Sequence, residues 1–248
     1  MAGFRRNPYS VTILGIMALC LCLYAVDQVV HYARFADLQY WARQIEKGRP
    51  LELSALDRLV SETYDRGIEQ ECQSAFVKPF LTVLLAGLDA RNPNSEYEKW
   101  FEALGQTEQF LRHTLSCLPT DGNLWVRYAM VRQASAEQSD EIHRLVGLSQ
   151  RYSPAEENAI TARYFLYNRL TNMTLEKISM EVRKDVEILC SPSAAFLRVK
   201  IPAPKPQLAK MIAAISPSCS ISGQSTGDAA RVDDKKISLS PFKSSISK

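Results

Sequence analysis

Chemistry in a chain of this kind would be sought first at histidines, thiols, nucleophile motifs and paired acids, and these are sparse. Histidine occurs only at His31, His113 and His143. No two of them share a spacing that would put both imidazoles on one metal, and none sits in an HExxH-like arrangement with a Cys or acidic partner. All three are read as structural or solvated. The sequence holds no GxSxG, no Ser-x-x-Lys with its companion motifs, no GxxxxGK[ST] and no GxGxxG. Glu156-Glu157 and Asp233-Asp234 are adjacent pairs, so on a helix their carboxylates diverge and read as solvated charges. A glycosidase needs two carboxylates facing one cleft, a pattern that spacing alone does not exclude. The expectation is therefore no catalytic, cofactor-binding or metal-ligating residue and no cofactor, with an envelope carbohydrate-active enzyme as a remote alternative.

Cysteines carry more information. Cys20 and Cys22 fall in an apolar run, where they act as small apolar residues, and Cys72, Cys117, Cys190 and Cys219 fall in the polar body. The body spacings are too long for a CxxC motif, and an even number fits two disulfides in an oxidising compartment. Four cysteines allow three connectivities. Cys72–Cys117 would tie one helix pair and leave Cys190–Cys219 to pin the last folded segment; the other two pairings stay open.

The residues that do commit the chain to a place are Ser10 to Val30, SVTILGIMALCLCLYAVDQVV, in which Asp27 alone is charged. With Pro8 just ahead of it, the stretch reaches the roughly 20 apolar residues that cross a bilayer. Arg5 and Arg6 precede it, as they would precede a signal peptide, but Leu21, Leu23 and Tyr24 stand where a cleavage site would want small residues. An uncleaved signal anchor is the preferred reading. Basic residues flank both ends, Arg5 and Arg6 before, Arg34, Arg43, Lys47 and Arg49 after. Charge counting does not settle orientation, and the short N-terminal tail favours a body outside the cytoplasm. Asp27 is either an interfacial residue or a polar contact to another membrane helix.

After the anchor the pattern is helical throughout. Tyr32, Phe35, Leu38, Trp41 and Ile45 extend an amphipathic helix, read as continuous with the anchor up to Gly48-Arg49-Pro50. Its aromatics would form a membrane-interface belt or pack on the body. A helix from Leu51 is capped by Ser54 and ended by Gly67; a more apolar one runs from Glu71 to Arg91 with Pro79 inside; Ser95 caps the next. Asp121 caps a helix carrying Leu124, Trp125, Tyr128, Ala129 and Val131, and another spans Asp140 to Tyr152. Asn168 to Leu189 reads as one helix, the proline-rich stretch after it as an extended crossing, and Leu208 to Ile215 as a last short helix. Pro119 and Pro154 lie about one tetratricopeptide period apart, with Trp125 and Ala129 at its large and small positions and Glu141 where a small residue is wanted.

The expected fold is all-α. Residues 1–9 form a cytoplasmic tail, 10–30 the anchor, 31–50 a juxtamembrane helix, 51–219 a degenerate tetratricopeptide-like helix-pair domain, and 220–248 a disordered tail too poor in large apolar groups to order itself. A net charge of +3, with basic and acidic residues interspersed, leaves no nucleic-acid footprint. The expected partners are the membrane and other membrane or envelope proteins. Arg127, Arg132 and Arg144 are the expected exposed contacts of the body, and Asp27 that of the anchor.

The anchor, Cys72, Cys117-Leu118-Pro119, Leu124-Trp125 and Tyr152-Ser153-Pro154-Ala155-Glu156-Glu157 together resemble a group of alphaproteobacterial single-pass, tetratricopeptide-like proteins. The resemblance spans about Ser10 to Leu170 and omits the C-terminal third. It implies an inner-membrane protein with a periplasmic body that accompanies exopolysaccharide or O-antigen machinery, and it carries over no catalytic residue. The expected function is a non-enzymatic scaffold; a structural subunit acting through its membrane helix is the alternative.

Overall fold

The computed structural model describes residues 8–33, 35–49, 51–70, 72–219 and 221. Among them every regular element is helical. The N-terminal tail ahead of Pro8 and the expected disordered tail lie outside the described residues, except that Ile221 is buried against the core. The folded body thus reaches past the expected boundary.

Helix α1 (Pro8–Ala33) holds the apolar run. At 1.5 Å per residue it is about 39 Å long, more than the roughly 30 Å hydrocarbon core. Its Leu, Ile and Val side chains are exposed along the whole span Thr12–Val30, and no part of the body covers them.

The expected continuity into the next segment is not observed. Helix α2 (Ala36–Glu46) is a separate element, because Phe35 leaves helical geometry and its ring turns onto Phe76, 4.9 Å away. Leu38, Ala42 and Ile45 are then buried against the body, which settles the belt question for that face; Tyr32 and Tyr40 stay exposed. A Schellman motif closes α2. Gly48, at φ 74°, donates to the Ile45 carbonyl and Arg49 to that of Gln44.

Helix α3 (Leu53–Gln70) begins before Ser54 and runs past Gly67, so neither residue bounds it as expected. Helix α4 (Ser74–Asp89) is buried on nearly every side from Phe76 to Leu88, being covered by α2, α3 and α5 (Tyr97–Cys117). Pro79 lies within it without ending it. The Ala75 carbonyl, which Pro79 has no N–H to meet, accepts instead from Gln39 Nε2 of α2 at 3.3 Å. Ser95 does not cap α5; the turn before it is held by Asn92, whose carbonyl accepts from the Glu96 N–H and whose side chain accepts from the Asn94 N–H.

Asp121 does cap α6 (Gly122–Ser135), accepting from the Asn123 and Leu124 amides, and it also pairs with Lys78 of α4 at 3.3 Å. Helix α6 packs on α5, α7 (Ser139–Tyr152) and α8 (Glu157–Tyr167). Its first residue permits the closest approach: a Cβ on Gly122 would lie 2.6 Å from the Ser149 carbonyl oxygen. The expected single helix from Asn168 to Leu189 is two, α9 (Asn172–Lys177) and α10 (Ser179–Leu189), parted at the fully buried Ile178. Helix α9 packs on α7, whereas α10 lies against α7, α8 and the last helix, so one straight rod would not serve both contacts. The proline-rich stretch opens with a 3₁₀ turn at Pro192–Ala194 and α11 (Ala195–Arg198) before the extended part, and α12 (Pro206–Ile215) follows.

A buried ion pair locks the second half. Arg163 of α8 meets Asp185 of α10 through two bonds of 2.7 and 2.8 Å, and also donates to Ser149 Oγ and the Ser153 carbonyl. Tyr167 donates to the same carboxylate at 2.8 Å. Burial disfavours the guanidinium charge, and the Asp185 hydrogen bonds and charge more than offset it, so Arg163 is held above the ordinary arginine range.

Candidate interaction surface

The four residues expected to make contacts meet four different surroundings. Arg127 is a correction: it is 0% exposed. Because α6 is packed by helices on several sides, Leu124, Val126, Arg127, Met130 and Val131 are all buried and position 127 has no outward face. Burial pushes the Arg127 guanidinium down to about 10, against the opposing pull of the Asp89 carboxylate.

Arg132 is half-buried and already engaged. Its Nε donates to both carboxylate oxygens of Glu141 at 3.0 and 3.1 Å, and its Nη1 to Glu108 at 3.1 Å, so it joins α5, α6 and α7. Burial lowers its affinity for the proton, and the Glu141 hydrogen bond with the two carboxylate charges more than restores it. Arg112 adds a further bond to Glu108 at 2.6 Å and one to the Tyr128 hydroxyl at 3.0 Å. Arg132 therefore holds helices together and offers little to a partner. Arg144 is exposed on α7, as expected, and Asp27 is exposed on α1.

Two aromatic residues of α5 lie outside the core. Tyr97 and Phe101, one turn apart on α5, are 61% and 57% exposed and stack at 5.9 Å between ring centroids. Trp100 lies 6.2 Å from Tyr97 and turns to the other side, where it walls a cavity of about 330 Å³ with Asp89, Gln133, Arg169 and Lys205. Burial lowers Arg169 below the ordinary range, with the Asp89 charge opposing. An exposed aromatic stack on the helix that also lines this cavity is the composition in which binding energy concentrates. The signal missed in the sequence is the surplus of aromatics, with Tyr97, Trp100 and Phe101 within five residues of a helix whose neighbours bury only one face.

Both expected disulfides are present, Cys72–Cys117 and Cys190–Cys219, with Cα separations of 5.2 and 5.5 Å. Cys20 and Cys22 are free on α1. The histidines are less solitary than expected. His143 Nε2 lies 3.4 Å from Glu181, and His113 Nε2 lies 3.7 Å from the Cys117 sulfur, one turn along α5. Ligand atoms of Cys72, His113 and Cys117 fall within 4.8 Å of one another, but the two sulfurs are bonded to each other and so are not thiolate ligands. Among the paired acids, Glu156 is exposed and Glu157 bonds Lys200 at 2.6 Å, while Asp233 and Asp234 lie outside the described residues. Comparison with protein-family models, curated proteins and solved structures finds no match to this chain.

Proposed function

We propose that this chain is a non-enzymatic accessory protein of a membrane assembly: α1 fixes it in an inner membrane and the body, on the periplasmic side, binds partner proteins. The observation that carries the reading is the uncovered α1, a largely apolar span of 19 residues with none of it buried by the body. Such a surface needs lipid or other apolar helices around it. Two disulfides support an oxidising compartment for the body. Packing of α2 on α4, α6 on α8 and α7 on α9, next-but-one neighbours, supports a degenerate tetratricopeptide-like stack in those parts of the body. By its resemblance to envelope polysaccharide accessory proteins, the partner proposed is a membrane component of exopolysaccharide assembly or export.

The contact face is placed at Tyr97 and Phe101 rather than at Arg127 or Arg132, with Arg144 as a second exposed contact. A second reading has one specific support: Asp27 is exposed within the span, and a charge there is commonly paired with a neighbouring membrane helix. Crosslinked recovery of membrane partners separates the two. Tyr97→Ala with Phe101→Ala should cut recovery several-fold while exchange of Ser10–Val30 for an unrelated span leaves it intact. The reverse result would assign the contact to the anchor.

A further inference from the structure

We propose that Cys72–Cys117 is a site of thiol–disulfide exchange, with Cys72 the sulfur attacked and His113 stabilising Cys117 as the sulfur that leaves, while Cys190–Cys219 is a structural crosslink. The two bridges differ in their surroundings. Cys190 and Cys219 are both half-buried and pack against the hydrophobic core, so neither is as open to an incoming thiolate as an exposed sulfur. Cys72 is exposed and lies outside any helix, just ahead of α4. Its partner Cys117 is the last residue of α5, half-buried, and its sulfur accepts the 3.7 Å hydrogen bond from His113 Nε2 one turn earlier. Cys190–Cys219 has no histidine within such reach among the described residues.

The geometry fixes the direction of reaction. Exchange requires a thiolate in line with the S–S bond, and its rate rises as the leaving thiol is made a better leaving group. A thiolate from a cysteine-containing reductant reaches the exposed Cys72 Sγ and forms a new S–S bond to it. The Cys72–Cys117 bond breaks and its electron pair goes to Cys117 Sγ. His113, through its Nε2–H, donates a hydrogen bond that stabilises that thiolate, and solvent supplies the proton that makes it a thiol. A second thiol of the reductant then attacks its own sulfur in the mixed disulfide and releases Cys72 as thiolate. In sum, the protein disulfide and two reductant thiols become two protein thiols and one reductant disulfide. The opened bridge frees the α5 end from the segment that leads into α4, so the exchange bears on how those two helices are held.

The test uses the full chain in detergent at neutral pH, with glutathione as the monothiol probe, acid quenching, alkylation and peptide mass spectrometry of each bridge. Cys72–Cys117 should open about tenfold or more faster than Cys190–Cys219, with the glutathione adduct on Cys72. His113→Gln should slow the first bridge several-fold and spread the adduct over both sulfurs, leaving the second bridge's rate and the melting midpoint unchanged. His113→Ala, which leaves the sulfur no polar neighbour there, should slow it at least as much. Equal rates for the two bridges, an adduct chiefly on Cys117, or no change in either His113 variant would overturn the proposal.

Discussion

Tyr164 and Tyr167 are both buried on α8, three positions apart, yet their hydroxyls meet opposite fates. Tyr167 donates to Asp185 at 2.8 Å, whereas the Tyr164 hydroxyl is buried with no hydrogen-bond partner among the described residues. A hydrogen bond to a charged group is worth about 1.5–3 kcal/mol, and an unmet buried hydroxyl costs about 1–3 kcal/mol. Tyr167→Phe should therefore destabilise the body by about 2 kcal/mol and Tyr164→Phe should leave it unchanged or up to about 1 kcal/mol more stable, read from urea midpoints. Burial pushes both phenols above the ordinary tyrosine range; at Tyr167 the Asp185 charge adds to it. A raised folded value keeps the proton that the unfolded chain loses near pH 10, so this stability is complete below about pH 10 and falls above it. Arg127, held down to about 10, acts in the opposite sense, because there the unfolded chain keeps the proton and the folded one releases it. Two groups against one leave a net loss from these three, and the Tyr164→Phe, Tyr167→Phe double variant should flatten the alkaline limb between about pH 9 and 11 relative to the parent chain.

At the scale of elements, Pro79 and Gln39 make a testable couple. The prolyl nitrogen deprives the Ala75 carbonyl of its helical donor, and Gln39 on α2 supplies one. Pro79→Ala should restore the helical bond and raise stability, by less than the roughly 3 kcal/mol of a fully interior proline because α4 already accommodates the ring. Gln39→Ala should cost about 1 kcal/mol in the parent and little in the Pro79→Ala background. Equal costs in both backgrounds would show that the contact does not compensate the proline. Elements of this kind were legible in the sequence where the cause is local. The Asp121 cap and the apolar run of α4 are each written within a few residues. Breaks set by tertiary contacts were not: Phe35 leaves the helix to reach Phe76, 41 positions on, and Ile178 parts α9 from α10 because α10 packs on α8 and α12 as well as on the α7 that α9 meets. Gly67 was read as a stop because glycine weakens a helix, yet α3 continues through it. The same limit hid Arg127. A guanidinium reads as surface until a distant carboxylate, here Asp89, makes its burial tolerable. His113 and Cys117 were a different case, since a spacing of four on a helix already put them on one face.

The whole molecule joins a body that buries its own apolar surface to a helix that buries none of its own. The two are linked through a single break at Phe35, and α1 gains nothing from the body's core. On the proposed function, the side of the membrane that the body occupies rests on two independent features. Arg5 and Arg6 ahead of the span favour an N-terminus retained in the cytoplasm, although the basic residues after it pull the other way. The paired cysteines need an oxidising medium, which the cytosol of ordinary cells does not provide. Taken together they make orientation and oxidation one prediction with two readouts. A reporter active only outside the cytoplasm, fused after Lys248, should be active, and protein alkylated at the moment of lysis should carry label on Cys20 and Cys22 alone. Label on the four body cysteines together with an active cytoplasmic reporter would turn the molecule over. Label on Cys72 and Cys117 in addition to Cys20 and Cys22, beside an active external reporter, would keep the orientation and identify that bridge as the one opened by thiols in the cell.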